Sequence, residues 1–209
     1  MADAPPRIDH VIIASPDLGA TAARLEREHG IVTIPGGRHA AWGTHNRIAP
    51  LGGAYLEIIG VDDPALAAAD PLGAAVLERA HDGDALLGYA VEVPDAAATA
   101  RRLGVGSEPG ARDLPDGSRL TWTLAARREC GLGARPFFIQ WDEPSTRPGL
   151  ALVAHHAPLT GLAWLETGGA EVALHAWAGG ELPVRCTGDE HDGLLAIGIA
   201  TAAGELVLR

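Results

Sequence analysis

Lysine is absent from this 209-residue chain, so all 16 of its basic residues are arginines, set against 27 acidic ones for a net charge of −11. That balance repels phosphate backbones. The arginine pairs Arg101-Arg102 and Arg127-Arg128 are isolated beside acidic neighbours, so nucleic acid is excluded as the expected partner. Only Cys130 and Cys186 are present, too few for a disulfide framework, and both read as buried thiols. No apolar run approaches the ~18 uninterrupted residues of a membrane span. Met1 to Arg7 lacks the apolar core of a signal peptide, which points to a cytoplasmic protein. Nucleophile-elbow, Walker, dinucleotide-glycine and Cys-rich zinc patterns are also missing, so no nucleotide cofactor is expected. What remains is a chain that is 47% apolar and long enough to bury a real core, with a small molecule or another protein open as its partner.

The positive signal is a repeat. Ile8 to Ser15 is a β-rich apolar run, Pro16-Asp17 starts a helix, and Gly30 suits its left-handed end. Leu86 to Val93, Pro94-Asp95 and Gly104 repeat the same sequence of signals. A weaker third copy begins at Leu159 and carries a short helix near Ala170 to Trp177. Comparing copies position by position separates scaffold from chemistry, because a polar residue found at a strand position in one copy only is a candidate for function.

After the first helix, Ile31 to Ile34 reads as a strand ended by Pro35-Gly36-Gly37. Thr44 to Leu51, the hairpin signal Gly52-Gly53 and Ala54 to Val61 follow, giving the order β-α-β-β-β. Pro71 to His81 has helical apolar spacing. In the second copy a short strand is expected near Val105 to Glu108, then a turn-rich Pro109 to Gly117, then strands over Arg119 to Ala125 and Pro136 to Trp141. The expected organisation is a first module over 7–62, a helical connector over 63–84 and a second module over 85–142. A covering segment over 143–158 and a partial third module over 159–209 complete it. Two such curved sheets side by side make a cup, and a polar residue among apolar neighbours on these strands belongs in it rather than against the helices.

His10 on the first strand and Glu57 on the fourth are the sharpest such residues. On neighbouring strands they would converge on a divalent cation (Zn, Fe, Mn, Co or Ni) or else pair as a hydrogen-bonded His and carboxylate. The segments Ile8-Asp9-His10-Val11-Ile12, Gly36-Gly37-Arg38-His39, Gly43-Thr44-His45-Asn46-Arg47 and Leu51-Gly52-Gly53-Ala54-Tyr55-Leu56-Glu57-Ile58-Ile59 together resemble the glyoxalase-like branch of the vicinal oxygen chelate superfamily. Leu86-Leu87-Gly88-Tyr89-Ala90 and Pro136-Phe137-Phe138-Ile139-Gln140-Trp141 resemble its second half. The resemblance implies an α+β protein of paired βαβββ modules, glyoxalase/bleomycin-resistance-like, here with the partial third unit. It also implies a divalent metal held by first-strand and fourth-strand residues in the catalytic members, which act as lyases, isomerases or dioxygenases. Other members bind small molecules without metal.

The second module departs from that pattern. Asp95 follows Asp17 by 78 residues, and the same step carries His10 onto Gly88, which offers no ligand. The counterpart of Glu57 falls at Ile139 or Gln140 according to register, and Gln140 would be a weak oxygen ligand. The candidate metal set is therefore His10, Glu57 and Gln140, with Glu57 also the catalytic candidate. Asn46, Trp42 and Trp141 are candidate substrate contacts, and His39 could cover the mouth of the cup. His45 would face solvent, one of His155 and His156 could supply a ligand, and His191 reads as a solvated turn. Asp9 and Arg47 are supporting candidates. Two functions stay open: a metal-assisted enzyme on a substrate with vicinal oxygens, or a metal-free module that binds or sequesters a small molecule. The third unit would complete the monomer or pair with a second copy in a homodimer.

Overall fold

The protein is described from a computed structural model, over residues 6–131, 133, 135–188 and 193–209. The first module comprises β1 (Arg7–Ala14), α1 (Leu18–His29), β2 (Ile34–His39), β3 (Thr44–Pro50) and β4 (Tyr55–Val61). Asp17 caps α1 by accepting the Gly19 and Ala20 N–H groups, and Gly30 ends it at φ 66°. Two short helices, α2 (Pro64–Ala69) and α3 (Pro71–Arg79), lead to the second module. That module is β5 (Ala85–Glu92), α4 (Ala96–Leu103), β6 (Ser107–Asp113), β7 (Arg119–Ala125) and β8 (Phe137–Trp141). Asp95 and Gly104 do for α4 what Asp17 and Gly30 do for α1. Among the described residues no helix is long and apolar enough to cross a membrane.

Within each module the sheet order places the first strand beside the fourth, so β1 pairs with β4 and β5 with β8, both in parallel. The two sheets do more than form a cup. β1 and β5 pair antiparallel along their length, and β2 meets β6 at Arg38↔Asp113, closing an eight-stranded barrel. Side chains alternate between two cores. Ile12, Ile48, Tyr55, Ile59, Trp122 and Ile139 fill the barrel interior, whereas Val11, Leu56, Ile58, Val91 and Phe138 pack outward under the helices.

Two segments are more regular than their composition suggests. β2 begins where the expected strand ends and runs through Pro35-Gly36-Gly37, with a bulge between Pro35 and Gly37. β6 extends through the expected turn to Asp113, because Gly110 leaves space for Trp122: a Cβ there would meet the indole nitrogen at 2.2 Å. In both cases glycine marks a close approach inside a strand rather than its end.

The third unit contains β9 (Leu159–Thr167), α5 (Glu171–Ala178), β10 (Val184–Cys186), β11 (Leu194–Thr201) and β12 (Gly204–Leu208). It keeps the β-α-β-β-β order in reduced form, with a three-residue β10. Its sheet order is β10-β9-β11-β12, so the strand after the helix lies beside the first strand instead of at the far edge. The unit docks on the outside of the second module: Arg102 donates to the Ala176 and Trp177 carbonyls at 3.1 and 2.9 Å, and Trp177 donates to Pro136 O at 2.8 Å. Leu165, Ile197 and Ile199 join the outer core.

Candidate functional site

His10 and Glu57 come together inside the barrel. Parallel pairing aligns Ile12 with Glu57 and His10 with Tyr55, which puts both side chains on the inner face with His10 Nε2 3.5 Å from Glu57 Oε2. Asp9 should point outward by simple alternation, yet it is buried and also serves the interior. The β1–β5 ladder slips between Ile8 and His10, so Asp9 is the extra residue of a bulge that turns it inward. Its Oδ1 lies 2.6 Å from His10 Nδ1, and its Oδ2 accepts a 2.9 Å hydrogen bond from Trp141 Nε1. A buried carboxylate thus fixes the imidazole and aims its Nε2 at Glu57.

Asn46 holds Glu57 from the other side. Its Oδ1 accepts the Gly37 N–H at 2.9 Å, so its amide nitrogen faces Glu57 Oε1 and donates to it. Gly36 makes this possible, because a Cβ there would sit 2.0 Å from Asn46 Oδ1. Glu57 Oε2 accepts no hydrogen bond among the described residues. His39, at the end of β2, is buried rather than lying over the mouth: its Nδ1 is 3.0 Å from Thr44 Oγ1 and its Nε2 3.8 Å from Glu57 Oε1.

The electrostatics follow from burial. Desolvation lowers the His39 imidazole to about 4, with Glu57 opposing and Arg112 and His10 reinforcing the fall. Burial pushes the Glu57 carboxyl up, but His10, His39, Arg112 and the Asn46 hydrogen bond outweigh it and hold Glu57 below its ordinary value. His39 is uncharged at neutral pH, so its share of that compensation falls away there and the Arg112 guanidinium stands as the fixed charge acting on Glu57. Tyr55 stacks on His10 with ring centres 4.8 Å apart, and burial holds its phenol protonated.

Around this group lies a cavity of ≈ 30 Å³, room for one or two waters. Its walls are aromatic: Phe137 meets His10 edge-on, Trp122 stands between Trp42 and Trp141, and Leu72 of α3 closes one side. Trp42 is partly exposed and lies under the Arg127 guanidinium at 4.6 Å. Arg127 is fixed in turn by Asp70 (2.8 and 2.7 Å) and Glu108 (2.6 Å), and Ala126, at φ 60°, turns the chain to aim it.

Other expected residues lie elsewhere. Gln140 does not reach the interior, since its Oε1 accepts the Ala96 N–H at 2.9 Å on the outer face. Ile139 lines the cavity, but the residue that stands where Glu57 does is Phe137: Ala90, 78 residues beyond Ile12, pairs with it in the ladder. His155 is a fastener and not a ligand, because its Nδ1 accepts the Val32 N–H at 3.0 Å while its Nε2 donates to Pro50 O at 2.7 Å. His156 is exposed beside Glu26, His45 packs near Gly60, and Arg47 bonds to Thr33. His191 lies outside the described residues. Arg112, Arg127, Trp122 and Phe137 were not singled out from sequence. Arg112 is hidden on a strand whose Pro109-Gly110 resembles a turn, Trp122 and Phe137 lie on strands that read as strands but carry no polar marker, and Arg127 lies just beyond β7.

The donor set does not fit the chelate that the sequence resemblance implies. Among the described residues no group of three or more His, Cys, Asp or Glu side chains is disposed to hold a metal ion. The second module offers Gly88 and Phe137 where ligands would stand, Asn46 occupies one Glu57 oxygen, and Arg112 already supplies positive charge beside the other groups.

Comparison with known proteins agrees with the architecture. A family model described as glyoxalase-like domain matches residues 8–182. A hypothetical protein from Staphylococcus aureus superposes with a TM-score of 0.64 at 17% identity, over 97% of this chain and 84% of that one. Methylmalonyl-CoA epimerase from Mycobacterium tuberculosis gives 0.45 at 19% identity, over 65% and 86% of the two chains. A single-residue variant of Streptomyces coelicolor methylmalonyl-CoA epimerase, in complex with 2-nitronate-propionyl-CoA, gives 0.46 at 23%, over 66% and 94%. No curated protein matches the chain.

Proposed function

The chain belongs to the glyoxalase-like domain family of the vicinal oxygen chelate superfamily, and from that premise we propose that its barrel catalyses metal-independent proton transfer on a small carbonyl compound, as an isomerase or lyase. The observation that carries this reading is a buried Glu57 whose Oε2 accepts no hydrogen bond among the described residues and faces a His10 anchored at its other nitrogen by buried Asp9. Glu57, ionised at neutral pH, takes a proton from the carbon next to the carbonyl. His10 Nε2, within reach of the same carboxylate oxygen, passes that proton on or returns it to the other face. The neutral Tyr55 phenol is the donor available to the oxyanion that develops. The aromatic walls exclude water, which strengthens each of these interactions. The cavity has only the volume of a water or two, so admission of substrate requires the partly exposed Trp42 to swing aside.

The test is deuterium exchange in D2O, followed by NMR, on a panel of two- to four-carbon α-hydroxy and α-oxo compounds. Exchange that survives EDTA, and falls by about 10²-fold or more in Glu57→Gln and His10→Gln, supports the proposal. Exchange lost to EDTA and restored by Mn, Fe, Zn, Co or Ni would replace it with the metal-assisted reading. The lowered Glu57 pKa, which makes it a weak base, favours a second reading in which the cavity sequesters a ligand without turnover. Saturable binding of a panel member with no exchange would select that one.

A further inference from the structure

A second pocket opens where β2 and β6 part. These strands share a single residue pair, Arg38↔Asp113, and beyond it β2 continues towards Ile34 while the β6–β7 hairpin turns away. The gap is roofed by two 3₁₀ turns, Pro144–Thr146 and Pro148–Leu150, which are pinned to the barrel where Gly53 N–H donates to Gly149 O at 2.8 Å. The pocket measures ≈ 280 Å³, far roomier than the His10–Glu57 cavity. Ile34, Ile48, Leu114 and Leu120 give it apolar walls, and no acidic side chain among the described residues lines it.

Its charged groups are Arg112 and Arg147, and both are under-satisfied. Arg112 is 3% exposed, its Nε has no hydrogen-bond partner, and it forms no ion pair among the described residues. Arg147 spends Nη1 on Glu92, while its own Nε is also buried and unpartnered. A desolvated guanidinium without an ion pair, as Arg112 is, is costly, and a second guanidinium facing the same apolar pocket, paired to Glu92 at Nη1 but unpartnered at Nε, makes an arrangement a folded chain retains only when something compensates it. Guanidinium forks match carboxylate and phosphate oxygens in geometry as well as charge.

We propose that this pocket binds an organic anion, its acidic head between Arg112 and Arg147 and its apolar chain against Ile34, Ile48, Leu114 and Leu120. The proposal is independent of turnover in the barrel, although Arg112 borders both cavities and so connects them.

Hexanoate, hexyl phosphate and hexanol, titrated by calorimetry and ligand-observed NMR, test it directly. Either anion should bind saturably, the tighter one identifying the headgroup, and hexanol should not. Arg112→Gln and Arg147→Gln should each weaken the anion by about tenfold or more, the loss expected for one charge-assisted hydrogen bond. Arg147→Gln lies on the roofing segment and leaves Glu92 its Arg7 partner, so it keeps the test valid should Arg112→Gln fold poorly. Glu57→Gln, which removes the proposed base, should still bind, so failure of the catalytic reading leaves this result standing. Equal binding of hexanol and hexanoate, unchanged affinity in both arginine variants, or no binding of either anion would overturn the proposal.

Discussion

Arg112 and Arg127 are both buried in the same barrel, and their partners set very unequal costs on their removal. Arg127 has a partner at each of its three nitrogens: a bidentate pair with Asp70 and a third hydrogen bond to Glu108. Replacing it with Met strands a buried Asp70 and should cost about 3–5 kcal/mol, as breaking one side of a buried ion pair does. For a domain of this size that corresponds to a fall in Tm of roughly 6–20 °C. Arg112 has no such partner, and Met keeps the Cβ–Cγ stem that packs on Gly37. Glu57 retains its Asn46 hydrogen bond when Arg112 goes. Arg112→Met sheds a guanidinium without an ion pair but also the fixed charge that acts on buried Glu57, so the two effects should offset to within about 1 kcal/mol, a Tm change of no more than roughly 4 °C. Urea unfolding followed by tryptophan fluorescence, with calorimetry for Tm, measures both variants on one scale. If Arg112→Met destabilised as much as Arg127→Met, Arg112 would be a structural charge and the argument for a ligand site would fail.

Three further outcomes follow from particular contacts. Burial pushes Asp70 up, but the Arg127 bonds and the α3 N–H groups of Gly73 and Leu72 hold it below its ordinary value. Its contribution is thus complete above about pH 4 and is lost as the pH falls through the lower folded value, so the acid limb of stability should flatten in Arg127→Met. Gly37→Ala places a Cβ 2.2 Å from Asp113 O, a backbone atom at the β2–β6 seam, and should cost about 1–3 kcal/mol in urea midpoint measurements. Trp141→Phe leaves Asp9 Oδ2 buried without its donor, so a loss of about 1–3 kcal/mol is expected by the same assay, with a result near zero showing that solvent reaches Asp9.

Much of the fold was legible because its signals are local. Asp17 with Gly30 and Asp95 with Gly104 mark helix ends by backbone geometry alone, and Gly52-Gly53 marks a hairpin. The convergence of His10 and Glu57 followed from alternation on two apolar strands. What alternation cannot supply is register. The residue standing where Glu57 does in the second module is Phe137, and only the β5–β8 ladder reveals it, so Gln140 was placed on the wrong face. Arg112 was hidden for a different reason: Pro109 and Gly110 resemble a turn, and the cause of that glycine is the Trp122 indole, which faces it only once β6 and β7 are paired in register.

The bulge at Asp9 has an evolutionary side. From His10 onward β1 holds its partners in β4 and β5, so a chain one residue shorter at this point would lose the Asp9 carboxylate while the rest of the strand kept its pairing. The imidazole would remain in the barrel without its buttress. Between a barrel with a lone imidazole–carboxylate pair and one with a buried carboxylate–imidazole–carboxylate series there lies the gain or loss of a single codon. It falls near the end of a strand, where a sheet absorbs such a change at least cost.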